Sequence, residues 1–172
     1  NGGVVNDGLI VINPTNGGFS TTLNMRTPSS ITGSGTLTLN GIGTRSILTS
    51  SATTTNGVNH TINGFGRISG DFVNNGVVRS NTSAATLDIR DAAWTNNNLM
   101  EVANSSIMDF VSLTITQNAS GIIQVTDGQL NLLNTSIANG MITSSGSIPA
   151  SKWSITSGTT VFDTVQLGGE GH

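Results

Sequence analysis

Three polar residues occupy equivalent places in an alternating apolar–polar–apolar pattern. Asp88 lies between Leu87 and Ile89, Asp109 between Met108 and Phe110, and Asn131 between Leu130 and Leu132. The three triplets start 21 and 22 residues apart. If the triplets stack as strands, the apolar neighbours turn inward and Asp88, Asp109 and Asn131 face solvent. Two carboxylates stacked about 5 Å apart match the separation used by retaining glycosidases. They could also supply oxygen ligands to Ca²⁺. The plainer reading is a solvated face on which like charges are tolerated, with Arg90 partly neutralising Asp88.

Other residues offer less chemistry. His60 and His172 are the two histidines, and neither has a second ligand at metal spacing. We expect His60 to be an inert loop residue and His172 a chain end. Gly33–Ser34–Gly35 and Gly64–Phe65–Gly66 precede no helix, so they read as corners and not as phosphate loops. Thr36–Leu37–Thr38 and Thr114–Ile115–Thr116 do not recur in every repeat, as a flat ice-binding array requires. Asn59, Asn81, Asn104, Asn118 and Asn134 open Asn-X-Ser/Thr sequons, a frequency that chance explains in a chain so rich in these residues. No catalytic residue, metal site or cofactor is implied.

A second repeat must position these groups. Phe72–Val73–Asn74, Trp94–Thr95–Asn96, Ile115–Thr116–Gln117 and Ile137–Ala138–Asn139 each place an amide two residues after a large apolar side chain. They begin 22, 21 and 22 residues apart, in phase with the triplets. Each is followed by an apolar pair: Val77–Val78, Leu99–Met100, Ile122–Ile123 and Met141–Ile142. Asn carries both donor and acceptor, so a stacked column of amides can satisfy itself. Asn74, Asn96, Gln117 and Asn139 are therefore expected to form a structural amide ladder. A polar binding strip is the functional alternative.

Composition supports a strand-rich chain. Charged residues are 9% and aromatics 4% of 172 residues, and Cys is absent. No disulfide framework or thiolate site can form. The six cations are scattered and the net charge is −3, which gives no basic face for nucleic acid. The longest apolar run, Leu9–Ile12, is far too short to span a membrane. No segment shows helical apolar spacing. The chain begins without Met and both ends are Gly-rich, as in a segment cut from something longer.

A period of 21–22 with three short strands and no helix fits a stacked coil. We expect an all-β, right-handed parallel β-helix (β-solenoid) of about seven to eight coils of roughly 22 residues. It should form a single domain over 1–172. Val4–Gly8 resembles the corner Phe72–Gly76. Ile31–Leu37 resembles Ile62–Ile68 at an offset of 31, which suggests a loop inserted at Ser50–Asn59. Trp153–Ile155 should continue the triplets and Val161–Asp163 the apolar–amide column.

Over Ile62–Gly70, Phe72–Arg79 and Trp94–Val102 the sequence resembles the repetitive β-helix regions of large exported bacterial proteins. Autotransporter passengers and filamentous-haemagglutinin-like adhesins or matrix proteins are of this kind. The resemblance implies an extracellular or cell-surface location. It also implies a structural role as an adhesin stalk, matrix element or filament subunit. Partners would be further copies or further chain at the solenoid ends, and host or matrix glycans. Membrane insertion and nucleic acid are not implied. Pectin-degrading enzymes and phage tailspikes share such coils. Their active sites resemble clusters of Asp with Lys, Arg or His; this chain has one Lys, two peripheral His and no Asp–Asp or Gly-His-Gly motif of the polygalacturonase kind. A carbohydrate-active or glycan-binding role at Asp88/Asp109 stands as the alternative.

Overall fold

The computed structural model describes residues 2–13, 19–41, 45–145 and 151–169. His172 and parts of both Gly-rich ends lie outside them. The described residues form twenty strands and no helix. All strand pairs are parallel, and each strand pairs with its equivalent one coil along, so the fold is a β-solenoid with three faces.

The first face stacks β1 (Gly2–Val5), β4 (Ser29–Thr32), β7 (Thr54–Asn56) and β9 (Phe72–Asn74). It continues through the second halves of β11 (Thr86–Asn96) and β13 (Ser106–Gln117), then β16 (Ser136–Ala138) and β19 (Val161–Asp163). The second face stacks β2 (Leu9–Ile12), β5 (Thr36–Asn40), the start of β8 (Thr61–Ser69) and β10 (Val77–Ser80). Above them lie β12 (Leu99–Val102), β14 (Ile122–Val125), β17 (Met141–Ser144) and β20 (Gln166–Gly169). The third face holds β3 (Thr21–Met25), β6 (Ser46–Ser50), the end of β8 and the first halves of β11 and β13. It ends with β15 (Gly128–Leu133) and β18 (Ser151–Ser157).

Alternation on each strand sends one set of side chains inward. Leu37, Ile62, Val78, Met100, Ile123 and Ile142 form one fully buried row, and Leu48, Ile68, Ile89, Phe110 and Leu132 another. Phe72 and Trp94 stack with ring centroids 5.0 Å apart, and Ile115 and Ile137 extend their row. Trp153 pairs with Leu130, so the triplet column continues to the last coil. Phe162 pairs with Ile137 and Asp163 with Ala138, one place off the expected register, so the apolar row continues but the amide column does not.

The corner between the third and first faces is a single left-handed residue in five coils. Gly70, Asp91, Ser112, Asn134 and Gly158 stack there with φ of 96°, 54°, 51°, 51° and 68°. This conformation costs L residues about 1–2 kcal/mol, which small polar residues and glycine tolerate best.

Three expectations about the N-terminal half need correction. Ile31 pairs with Asn56 and Leu37 with Ile62, so the register offset is 25 residues and the likeness at 31 joins different faces. Ser50–Asn59 is accordingly no inserted loop, because it contains β7, a regular rung between β4 and β9. Val4 stacks through Ile31 and Asn56 onto Asn74, two places beyond the Phe72 expected of it. The shared Asn-Gly composition of corners misaligned these coils.

Candidate functional site: the polar ladders

Asn74, Asn96 and Gln117 stack in register on the first face and point into the core. Each is at most 1% exposed. Asn74 Nδ2 donates to Asn96 Oδ1 at 2.9 Å, and Asn96 Nδ2 donates to Gln117 Oε1 at 3.1 Å. Each amide also donates to a backbone carbonyl at the start of the next coil's second-face strand. Those carbonyls belong to Leu99, Ile122 and Met141, at 3.1, 3.3 and 3.4 Å. One rung thus ties two faces of successive coils together.

Asn139 does not join through its side chain, which is exposed. Its φ of 60° swings the amide out of the column, and Gln117 Nε2 bonds the Asn139 carbonyl instead, at 3.2 Å. The longer Gln stem fits because Gly121 and Gly140 leave room. A Cβ on Gly140 would lie 2.5 Å from Gln117 Cβ.

The ladder begins earlier than the repeat suggests. Asn56, in β7, donates from Nδ2 to Asn74 Oδ1 at 2.9 Å. His60 is fully buried, not a loop residue at the surface. Its Nδ1 lies 2.8 Å from Asn56 Oδ1, and its Nε2 lies 3.1 Å from Asn6 Nδ2. Carboxamide oxygens only accept, so Nδ1 carries the proton and Nε2 accepts. Burial lowers the His60 pKa from 6.5. The Asn56 and His60 signals were hidden by the misread loop.

On the third face, Arg67, Asp88, Asp109, Asn131 and Ser154 share one outward column. Asp88 does not face open solvent as expected; it is 3% exposed. Arg90 covers it with Nε 2.9 Å from both carboxylate oxygens and Nη2 2.6 Å from Oδ2. Arg67 Nε lies 3.4 Å away on the preceding coil. Asp109 accepts from Asn131 Nδ2 at 2.8 Å, and Asn131 Oδ1 accepts from Ser154 Oγ at 3.1 Å. Burial raises the Asp109 pKa from 3.8, with Asp88 adding to the rise while Asn131 and Arg90 oppose it. Two guanidinium groups occupy Asp88, which leaves Asp109 and Asn131 as the accessible part of the column. Among the described residues no group of three His, Cys, Asp or Glu side chains converges for a metal.

A further ladder runs outside the first. Asn97 Nδ2 donates to Asn75 Oδ1 at 2.6 Å, and Asn118 Nδ2 donates to Asn97 Oδ1. These residues directly follow the inner amides at spacings of 22 and 21, so the sequence carried this signal too. Shallow depressions lie elsewhere. One of about 230 Å³ is lined by Asp71, Val73, Thr95 and Thr116 among others, and one of about 300 Å³ by Ser105, Asp127, Gln129 and Lys152 among others. Neither includes the Asp88 column. No protein-family model, curated protein or solved structure matches the chain.

Proposed function

We propose that the chain is a non-enzymatic structural segment of a secreted bacterial cell-surface protein: an adhesin stalk, matrix element or filament subunit. One observation carries this reading. Polar side chains inside and outside the solenoid hydrogen-bond along the axis to their counterparts on neighbouring coils. Groups paired this way stiffen a rod and are not free to bind a substrate. The extracellular location rests on the resemblance in pattern and composition.

Self-association through the ends belongs to the same proposal. Among the described residues, strands β1, β2 and β3 pair on one side only, as do β18, β19 and β20. Unpaired strand edges template further strands, from another copy or from more of the same chain. Electron microscopy of the concentrated protein should show unbranched filaments one solenoid wide. A monodisperse monomer at high concentration would refute end-to-end assembly.

A second reading, a carbohydrate-active or glycan-binding module, is favoured by Asp109 alone. Its raised pKa and half-buried place on the outward column suit a group that holds a proton near a sugar. Glycan arrays and reducing-sugar release test it. Release that disappears in Asp109→Ala would replace the structural reading.

A further inference from the structure

The inner ladder is one directed chain of hydrogen bonds. Asn6 donates to His60, His60 to Asn56, Asn56 to Asn74, Asn74 to Asn96, Asn96 to Gln117, and Gln117 to the Asn139 carbonyl. Every donor points the same way, so the bonds polarise and strengthen one another. His60 is the one titratable member. It also makes the longest step. Asn6 lies on the first coil and His60 on the third, and the intervening corner is Gly33–Ser34–Gly35, where glycine makes room. A Cβ on Gly35 would meet the Gly8 and Asn6 carbonyl oxygens at 2.3 and 2.6 Å.

We propose that His60 is an acid-sensitive latch that fastens the first two coils to the rest of the solenoid. The geometry permits only the neutral ring. Protonation would place an N–H at Nε2, facing the Asn6 Nδ2 donor. Asn6 cannot simply turn its oxygen toward the ring. Its Oδ1 accepts from the Gly8 amide at 3.1 Å, and its Nδ2 also donates to the Thr36 carbonyl at 3.0 Å. Rotation would sacrifice both. The other face of the ring offers no relief, because Nδ1 is committed to Asn56.

Among the described residues no charged group compensates. The four corners packed around His60 are Asn6–Gly8, Gly33–Gly35, Asn56–Asn59 and Asn74–Gly76, and Asp7 is their only other titratable residue. The Asp7 carboxylate accepts from Ser34 N at 2.9 Å and Ser34 Oγ at 3.2 Å. Burial is the cause of the lowered His60 pKa, and no charged neighbour contributes.

The sign follows by linkage. The unfolded state takes up a proton near 6.5 and the folded state only at lower pH. Latching is therefore complete above about 6.5 and weakens as pH falls toward the folded value, by up to about tenfold per pH unit. Below the folded value the loss levels off.

Hydrogen–deuterium exchange on either side of about pH 6, corrected for intrinsic rates, tests the latch. Acid should raise the opening constant of β1–β6 and leave β11–β17 unchanged. His60→Gln keeps a donor for Asn56 and an acceptor for Asn6 without titrating, so it should abolish the difference. Equal acid loosening in His60→Gln, or none in the native chain, would overturn the proposal. Nitrogen NMR of the native chain supplies a check independent of that variant. An Nδ1–H tautomer titrating below 6.5 supports the latch, and an Nε2–H tautomer sinks it.

Discussion

A buried amide is expensive unless every bond is made, and the inner ladder shows what that demands of single residues. Replacing Asn74 with Leu would remove the donor that serves Asn96 Oδ1 and the Leu99 carbonyl and one acceptor of Asn56, at about 1–3 kcal/mol for each group left unsatisfied. We expect Asn74→Leu to lose roughly 3 kcal/mol in denaturant titrations. Asn97→Ala in the partly exposed outer ladder should lose under about 1 kcal/mol, since water can replace the missing partner. Asp109 behaves oppositely. Its folded-state pKa lies above the unfolded 3.8, so it favours folding below that value and loses this contribution as pH rises through the folded pKa. Asp109→Asn keeps an acceptor for Asn131 and should raise stability near neutral pH by about 0.5 kcal/mol, with no gain at acid pH below 3.8.

At the scale of the element, the corners are as informative as the strands. Asp91 and Ser112 hold left-handed φ without being glycine. Ser112 is exposed, so Ser112→Gly should relieve about 1 kcal/mol of strain, and Ser112→Val should cost at least as much. Thermal melts of the two variants would show opposite shifts. The same corners explain what could be read from sequence. From Phe72 to Ile142 the large apolar residues recur roughly every 21 or 22 residues, and their inward period gives three faces and the register between them. In the first coils Val4 and Ile31 hold the places that Asn56 and Asn74 hold later. The marker residue therefore changes type at β7, and a periodic reading slips there. The burial of Asp88 was illegible for another reason. Alternation gives the direction of a side chain but not whether Arg67 and Arg90 will lie across it.

At the scale of the whole molecule, each coil is stabilised mainly by the coils beside it, so the two ends differ from the middle. In the centre, inward residues such as Met100, Phe110 and Ile123 are fully buried. In the last coil, Ile155 and Leu167 stand over Leu132 and Ile142 yet remain 52% and 46% exposed, because no described strand stacks on them. That end presents a cross-section of the core beside the free edges of β18–β20. If filaments grow by adding a copy there, a charge on this surface must block growth without touching the coils beneath. Leu167→Lys is expected to leave circular dichroism and the melting temperature within a degree or so of the parent, since little burial is lost. Light scattering at high concentration should then show no elongation. Filaments that form equally well from Leu167→Lys and from the parent would place the growing contact away from this apolar end.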